Sequence, residues 1–428
     1  MKLKTLLLAL FLITIPMIGC SNPSSNQPEE SELNPDADGQ PEERTPPVPL
    51  LLIGMDGFKP SYLDDERAGP TPNFDRLIEH GVRAESLKPV FPTKTFVNLY
   101  SIATGLYAEN HGILGNTVYD PSENTWLRMR DSDAQQQSFW WGGEPIWITA
   151  EKQGLRAGTF FWVGSEAEID GHRPTRWVPY DSRIPHRDRI DQVIDWLSDQ
   201  EAPLNFATLY FASVDGAGHS HGPSSIQVTN MVQQMDRNLG QLIDGLEAAG
   251  IWPDINILIV SDHGMVETDT DHLIILDDII SLSQVQIIEF SPIAMINPFS
   301  GFEDRVYQAL KDNEENYTVY RRDQIPEKFR FKNHPRTPAL IAVADLPYTI
   351  VTRSFLTTRG VMAGNHGYDP SYPEMHGFFL AHGPGIRQGH QAPTLELVDI
   401  YALMAHLLGL EAASHDGSLE RIGPEVLR

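Results

Sequence analysis

Four short segments of the sequence combine acidic or histidine side chains with glycine. They are residues 54–57, 215–219, 261–264 and 364–368, and their acidic and imidazole members are Asp56, Asp215, His219, Asp262, His263 and His366. A single Asp-Gly pair is usually a turn, and a lone histidine is usually hydrogen-bonded or on the surface. Their repetition favours a shared centre instead, and carboxylate and imidazole ligands without cysteine fit zinc or a comparable divalent ion.

Short apolar runs predict the strands that position these segments. The runs cover residues 48–54, 157–163, 206–211 and 255–260. Between the last two, apolar residues repeat at three-and-four spacing over residues 228–246, which predicts a long helix. This alternation is typical of a mostly parallel α/β sheet. Because ligands bind at the carboxyl ends of such strands, we expect three of the four segments to meet at one edge of the sheet.

Other patterns predict further elements. Thr71 and Pro72 supply a cap and a first-turn proline for a short helix that stops at Gly81. Residues 395–408 predict a final amphipathic helix. Residues from about 268 to 360 are less regular and indicate an inserted subdomain.

A hydroxyl nucleophile is the second chemical feature of the sequence. Thr93 and Thr95 lie where a proline-containing extended stretch becomes a helical run. A threonine hydroxyl needs a metal or a base to attack, and a helix N-terminus also favours an anion there. Either threonine could instead simply cap the helix, which is the commoner use of the residue. Lys94 between them could contact a substrate phosphate or could be a solvated lysine.

The composition excludes several classes of protein. The 428 residues carry 32 Lys and Arg against 58 Asp and Glu, a net charge of −26. We therefore expect no nucleic-acid binding, since a phosphate-tracking protein needs a basic stripe. Hydrophobic residues make up 41% of the chain, which excludes global disorder. The single cysteine, Cys20, excludes an intramolecular disulfide and a cysteine zinc site.

The N-terminus has the layout of a targeting segment. Residues 1–4 include two lysines, residues 5–18 form an apolar run, and Ile-Gly-Cys at residues 18–20 resembles the lipobox of bacterial lipoproteins. We predict a signal peptide over residues 1–19, and a lipidated Cys20 that begins a disordered tether over residues 20–47. The protein would then be secreted across the inner membrane and anchored by lipid in the outer membrane or periplasm. The alternative is an ordinary secretory signal with an incidental cysteine.

Six motifs occur in order along nearly all of residues 48–428. They are Met-Asp-Gly-Phe at 55–58, Pro-Thr-Lys-Thr-Phe at 92–96, residues 104–113, residues 215–219, Asp-His-Gly at 262–264 and His-Gly-Tyr-Asp at 366–369. In this the chain resembles the nucleotide pyrophosphatase/phosphodiesterase family of the alkaline phosphatase superfamily, and residues 164–181 also resemble its bacterial members. The resemblance implies an alkaline-phosphatase-like α/β fold for a catalytic domain over residues 48–428. It has a mostly parallel central sheet flanked by helices, with a smaller inserted subdomain.

The same resemblance implies two zinc ions and a set of site residues. One ion would be held by Asp215, His219 and His366, and the other by Asp56, Thr95, Asp262 and His263. Thr95 would be the nucleophile, Asn116 would stabilise the charged phosphoryl oxygen, and Phe96 and Tyr210 would stack a nucleobase. Ordinary core packing is the alternative for the two aromatic side chains.

The expected activity is zinc-dependent hydrolysis of phosphodiester or phosphoanhydride bonds in extracytoplasmic nucleotides. A nucleoside triphosphate would give the monophosphate and diphosphate through a covalent phosphothreonine. The alternative is the same site acting on choline-type phosphodiesters, phosphonates or phosphomonoesters. A degenerate surface lipoprotein that only binds a partner is disfavoured, because every proposed Asp, His and Thr ligand is present.

Overall fold

The fold is that of a computed structural model, which describes residues 47–428. The predicted signal peptide, Cys20 and nearly all of the predicted tether lie outside the described residues. Residues Pro46–Arg428 form one compact unit. Among residues 47–428, no helix combines the length and apolar character needed to cross a membrane.

The described residues form twenty β-strands, numbered here in chain order. They are β1 (Leu50–Met55), β2 (Gly81–Ala84), β3 (Leu87–Lys88), β4 (Thr117–Asp120), β5 (Thr125–Arg128), β6 (Ala157–Phe160), β7 (Arg176–Val178), β8 (Phe206–Phe211), β9 (Asn256–Val260), β10 (Val266–Glu267), β11 (Leu273–Ile275), β12 (Val285–Glu289), β13 (Ile293–Pro298), β14 (Tyr317–Arg321), β15 (Leu340–Ala344), β16 (Thr349–Val351), β17 (Gly364–Asn365), β18 (Phe379–His382), β19 (His390–Ala392) and β20 (Leu395–Glu396).

The α-helices of the described part of the chain number thirteen. They are α1 (Pro72–Glu79), α2 (Thr95–Thr104), α3 (Ala108–His111), α4 (Ser132–Gln135), α5 (Ile146–Lys152), α6 (His186–Leu197), α7 (Ser213–His221), α8 (Ile226–Ala248), α9 (Leu276–Ile279), α10 (Glu303–Asp312), α11 (Arg353–Arg359), α12 (Asp399–Leu407) and α13 (Leu419–Val426).

The central sheet has eight strands in the order β19-β2-β18-β9-β1-β8-β6-β7. Strand β1 pairs in parallel with both β8 and β9, and only β18 runs antiparallel to its neighbours. All residues of β1, β8 and β9 are buried, as expected for parallel strands covered on both faces. Helices flank this sheet, so the predicted mostly parallel α/β architecture is confirmed.

The long helix between two central strands is also confirmed. Helix α8 covers all of the predicted residues 228–246 and extends two residues beyond each end. Its Ser225 side chain accepts a hydrogen bond from the backbone N–H of Val228, which caps the helix.

The cap predicted for helix α1 is wrong. The Thr71 side chain makes no capping hydrogen bond. Instead, Asp236 of helix α8 accepts hydrogen bonds from the backbone N–H groups of Asn73 and Phe74 at 2.9 and 3.0 Å. The carboxylate also accepts from the Asn73 amide. A side chain 160 residues away in sequence therefore does what the local pattern assigned to Thr71, and it joins two helices as it does so.

Two predicted element boundaries are also wrong, for different physical reasons. Strand β6 stops at Phe160, because Phe161 has a φ of 61°, in the left-handed region that no strand residue adopts. The predicted helix over residues 395–408 begins only at Asp399, because Leu395 and Glu396 pair in parallel with strand β3. Nor is this helix the last one, since α13 follows it.

A second, smaller sheet lies within the irregular region of residues 268–360. Its four strands are antiparallel and have the order β12-β13-β15-β14. Helix α10 lies between β13 and β14 in the chain and packs on β14. The sheet has its own apolar core, which includes Ile296, Leu310 and Ala342.

Both ends of the described chain lie at the amino edge of the central sheet. The backbone N–H of Asn256, the first residue of β9, donates to the Pro49 carbonyl at 2.8 Å. The Asn256 side chain accepts from the Gly385 N–H, and the Gly385 carbonyl accepts from the Arg428 N–H. The chain therefore enters and leaves the fold on the side opposite to the carboxyl ends of β1, β8 and β9.

We expect Asp236→Ala to lower the free energy of unfolding by about 2–3 kcal/mol, because two helix N–H groups and a side-chain amide lose their acceptor. Thr71→Ala is the matched variant at the position favoured by sequence, and it should cost about 1 kcal/mol or less. Urea-induced unfolding of both variants measures the difference. Equal losses would contradict the assignment of the cap to Asp236.

Candidate metal centre and substrate cavity

The carboxyl ends of three adjacent strands bring three of the four acidic and histidine segments together. Asp56 directly follows β1, Asp215 lies in helix α7 after β8, and Asp262 follows β9. Because β8 and β9 flank β1, these three carboxylates meet at one edge of the sheet. The fourth segment reaches them by a different route. Strand β17, just before His366, pairs with β10, the strand that follows Asp262 and His263.

The first ligand cluster contains Asp215, His219 and His366. Asp215 and His219 are four residues apart on helix α7 and so share one face. The Oδ1 atom of Asp215 lies 3.4 Å from Nε2 of His219 and 3.6 Å from Nε2 of His366. The two imidazole Nε2 atoms are 3.1 Å apart. Three donor atoms thus converge on one point.

The second ligand cluster is built around His263. Its Nε2 atom lies 3.1 Å from Oδ2 of Asp262 and 3.3 Å from Oδ1 of Asp56. The Thr95 hydroxyl oxygen is 3.3 Å from the same nitrogen. Asp215 Oδ1 is also close enough to Asp56 and His263 to share a cation with them, so the two clusters are contiguous.

Backbone carbonyls fix the tautomer of all three imidazoles. The Nδ1 atoms of His219, His263 and His366 lie 2.7–2.9 Å from the carbonyl oxygens of Gly364, Gly264 and Thr93. Because a carbonyl oxygen only accepts, each Nδ1 carries a proton, which leaves each Nε2 as the atom that can bind a metal ion. This is the arrangement by which proteins orient histidine ligands of metals. Burial alone would lower the pKa of His263, but Asp262 and Asp56 raise it well above its usual range, so an ion bound at its Nε2 would displace a proton.

The electrostatics of the clusters fit divalent metal ions. Oδ1 of Asp56, Oδ1 of Asp215 and Oδ2 of Asp262 are buried and have no hydrogen-bond donor among the described residues. Burial, with the nearby Asp56 charge, raises the pKa of Asp215 well above its usual range and that of Asp262 to about 6. Buried carboxylate oxygens without donors are destabilising, and the Nε2 atoms of His219 and His366 face each other at 3.1 Å. Cations bound between these atoms would remove the penalty.

Thr95 is the first residue of helix α2 and is only 4% exposed. Its hydroxyl lies beside the second cluster, at the wall of a cavity of about 750 Å³. Asn116 lies on the same wall, and its Oδ1 accepts from the backbone N–H of Phe96 at 2.9 Å. This hydrogen bond fixes which end of the Asn116 amide is the oxygen, and its two N–H groups are left to donate to a ligand.

The cavity joins the metal clusters to an aromatic chamber. Its lining includes Asp56, Asp215, His219 and His366 on the cluster side, and it includes the aromatic side chains Phe96, Phe161, Trp162, Tyr180 and Tyr210. The Tyr210 hydroxyl donates a hydrogen bond to Oδ2 of Asp56, so this ring also holds a candidate ligand in place. Such a mainly aromatic chamber with polar groups at one end is typical of small-molecule sites.

Comparison with known proteins identifies the family of this chain. The family model described as type I phosphodiesterase / nucleotide pyrophosphatase matches residues 50–369. The chain belongs to this family. The resemblance found in the sequence is therefore confirmed.

Relatives in this family match most of the chain. Human ectonucleotide pyrophosphatase/phosphodiesterase family member 5 is 36% identical over 369 residues, which are 86% of this chain and 76% of that protein. Human bis(5'-adenosyl)-triphosphatase ENPP4 is 36% identical over 375 residues, 87% of this chain and 80% of that protein. The structure of murine family member 5 has a TM-score of 0.84 at 35% identity and covers 88% of this chain and 100% of that chain.

Tyr180 is a cavity residue that sequence reasoning missed in this member of the phosphodiesterase family. Its side chain is 49% exposed at the cavity wall, with its ring centroid 5.1 Å from that of Phe161 and 6.2 Å from that of Tyr210. Glu166, which also lines the cavity, accepts from the Tyr180 backbone N–H. Tyr180 follows β7, an edge strand that no apolar run predicts, so only the position of β7 in the sheet could have pointed to it.

Lys94 is not the solvated lysine of one of the two sequence-based interpretations. It is only 5% exposed, which excludes a solvated lysine, and its ammonium group donates to the carbonyl of Ser291 near the second sheet. It is not among the residues that line the cavity. Its contact with a substrate phosphate stays a prediction.

We expect the affinity for a divalent metal ion to fall as the pH drops from about 7.5 to about 5.5, by about tenfold per pH unit for each proton that the ion displaces. The reason is that the metal-free protein holds protons on Asp215 and Asp262, whose pKa values burial raises, and those protons compete with the cation. Competition with a chromogenic chelator measures the affinity.

Asp75→Asn, at an exposed position on helix α1, is the control and should keep the wild-type pH profile. Asp262→Asn should bind more weakly at neutral pH and show a shallower dependence. An affinity independent of pH in the wild-type protein would contradict the expected competition.

Proposed function

We propose that the protein is a zinc-dependent phosphodiesterase and nucleotide pyrophosphatase that acts through a covalent phosphothreonine on Thr95. The observation that carries the proposal is the place of the Thr95 hydroxyl. It lies 3.3 Å from His263 Nε2, beside the second ligand cluster, and it faces a cavity large enough for a nucleotide. The expected reaction converts a nucleoside triphosphate to the monophosphate and diphosphate.

Seven residues would hold two zinc ions, as the sequence resemblance implies. Asp215, His219 and His366 supply one site, and Asp56, Thr95, Asp262 and His263 supply the other. When bound, the two ions supply positive charge that favours the ionised Thr95 oxygen and stabilises charge on the phosphoryl and leaving oxygens. The convergent donor atoms and the unpaired carboxylate oxygens support this assignment.

The protein's own residues account for the sequence of bond changes. The Thr95 oxygen attacks the α-phosphorus, a Thr95–phosphorus bond forms, and the bond to the leaving oxygen breaks. The Asn116 amide donates to a non-bridging oxygen, where negative charge develops. Water then attacks the phosphothreonine and releases the nucleoside monophosphate. Two in-line displacements give overall retention at phosphorus.

The aromatic chamber supports a nucleotide as the substrate. Phe96 and Tyr210 are the side chains assigned to nucleobase stacking, and Tyr180 adds a third, partly exposed ring. A structure of murine family member 5, at 35% identity and TM-score 0.84, is an inactive threonine-to-alanine variant in complex with AMP. That protein therefore binds a nucleotide and is inactive when a threonine is replaced by alanine. This supports a nucleotide as the substrate and a threonine as the nucleophile in this protein.

The wild-type protein with zinc should convert ATP to AMP and diphosphate, as followed by phosphorus NMR. Thr95→Ala should lower kcat by at least about 10³-fold, because the nucleophile is lost. The carboxylate and imidazole ligands remain, so metal content measured by mass spectrometry should stay close to that of the wild type.

Thr95→Ser is the matched control, since it keeps a hydroxyl at the same place and should retain measurable turnover. Undiminished turnover by Thr95→Ala would contradict the role of Thr95. ADP and phosphate as products would instead indicate attack at the terminal phosphorus. No reaction with ATP, but turnover of a choline phosphodiester or a phosphonate, would favour the alternative substrates.

We also propose that the mature protein begins at a lipidated Cys20 and is held in the cell envelope, on the basis of the N-terminal sequence alone. Cys20→Ser should block lipidation and leave the unprocessed precursor, because lipoprotein processing needs the thiol. Intact-mass spectrometry of the two proteins from the membrane fraction measures this. Wild-type protein cleaved at another site and without lipid would contradict the anchor.

A further inference from the structure

The turn between strands β12 and β13 contacts three separate segments of the candidate site. This turn, residues 289–292, belongs to the second sheet and not to the central sheet that carries the ligands. The Glu289 carboxylate accepts from the backbone N–H groups of Asn116 and Thr117, at 3.3 and 3.4 Å. The Ser291 carbonyl accepts from Lys94, and the Ser291 hydroxyl accepts from the Asn365 amide.

The residues that this turn contacts are either proposed site residues or their neighbours in the chain. Lys94 precedes Thr95 in the chain, and Asn365 precedes His366 and accepts from its backbone N–H at 2.9 Å. Glu289 holds the backbone of Asn116 itself. The Asn116 side chain in turn accepts from the Phe96 N–H at the start of helix α2. A series of hydrogen bonds thus runs from the second sheet to Phe96, the residue after the proposed nucleophile.

The backbone conformation around Glu289 directs its side chain toward Asn116 and Thr117. The pairing of β12 with β13 shifts register between Ile287 and Glu289, which is a β-bulge. Bulges re-aim the side chains that follow them and are frequent beside active sites. Ser291 has a φ of 72°, a left-handed conformation that is unfavourable for a non-glycine residue and is often retained where it serves a site.

The loop that contains Gly115 and Asn116 leaves space for the Glu289 carboxylate only because residue 115 has no side chain. A Cβ atom at Gly115 would lie 1.9 Å from Oε2 of Glu289, so any larger residue there would push the carboxylate away. Glu289 has no ion-pair partner within 4 Å among the described residues, and its two carboxylate oxygens accept from the backbone N–H groups of Asn116 and Thr117. A carboxylate can accept both, whereas a glutamine amide would turn its N–H groups toward one of these donors.

We propose that Glu289 is a positioning residue for the reaction. By holding the backbone of Asn116 and Thr117, it fixes the Asn116 amide against helix α2 so that its free N–H groups face the phosphoryl group. This inference rests on the proposed function of Asn116 and Thr95. The second sheet would then position a residue of the site that lies at the edge of the central sheet.

The first test compares Glu289→Gln with Glu314→Gln. Glu314 is a matched control, because it is also a carboxylate of the second sheet region that accepts from a backbone N–H, that of Val319, but far from the cavity lining. Glu289→Gln should lower kcat/KM for ATP by about 10–100-fold, mostly through kcat, because the Asn116 donor acts on charge that develops in the transition state. Glu314→Gln should stay within about twofold of the wild type.

The second test asks whether Glu289 acts through Asn116. In an Asn116→Ala background, the further change Glu289→Gln should lower kcat/KM by less than about threefold, since the group that it positions is already gone. A merely structural contribution would instead multiply with the loss of Asn116. Amide hydrogen exchange at Asn116 and Thr117 should quicken in Glu289→Gln and not in Glu314→Gln.

Gly115→Ala provides a second route if Glu289→Gln does not fold. It keeps Glu289 and displaces its carboxylate by the added Cβ, so it should reproduce both the kinetic loss and the faster exchange. Either variant with wild-type kcat/KM, or full multiplicative effects in the Asn116→Ala background, would overturn the positioning role. A wild-type protein without turnover of ATP or other phosphodiesters would overturn the proposed function instead.

Discussion

Three carboxylates gathered at one edge of the central sheet, with buried oxygens that lack donors, are the constraint on which the rest of the structure depends. They belong to Asp56, Asp215 and Asp262, and three imidazole Nε2 atoms face the same space. This arrangement of donor atoms costs folding free energy, so it is maintained only because many other contacts fix the segments that carry it. The parallel pairing of β1 with β8 and β9 sets the carboxylates at one edge, and backbone carbonyls fix the imidazoles.

Segments far apart in sequence must therefore be held to within about 0.5 Å of the geometry that the site needs. The central sheet does this for the residues that follow its own strands. His366 and Asn116 lie on segments outside those strands, and both are fixed through the region around the second sheet, by the Asn365 and Glu289 hydrogen bonds. The smaller sheet thus completes a site whose main ligands it does not supply.

The sequence predicts the site residues that directly follow an apolar run or share a helix face. Asp56 and Asp262 were identifiable because a strand end is visible as an apolar run, and Asp215 and His219 because four-residue spacing puts them on one helix face. The α/β class follows from the same runs. Thr95 could not be distinguished from a helix cap by spacing, and only the resemblance to the family singled it out.

The residues that sequence reasoning missed act through contacts made across the fold. Asp236 caps helix α1 from another helix, and Leu395 joins a strand although its local pattern is helical. Tyr180 and Glu289 enter the site from an edge strand and a bulged turn, neither of which has a periodic signal. Phe161 ends a strand through a backbone angle that no side-chain pattern reveals.

The place where the chain enters and leaves the fold determines how the molecule can be oriented on a support. Pro49 and Arg428 meet around Asn256 and Gly385, while Asp56 lies at the other end of β1, roughly 20 Å away. A bead or a fusion partner joined directly at Pro49 or Arg428 would therefore hold the molecule by the face opposite to the ligand clusters. The cavity would open toward the bulk solution, where dissolved substrate arrives by diffusion without passing the attachment surface.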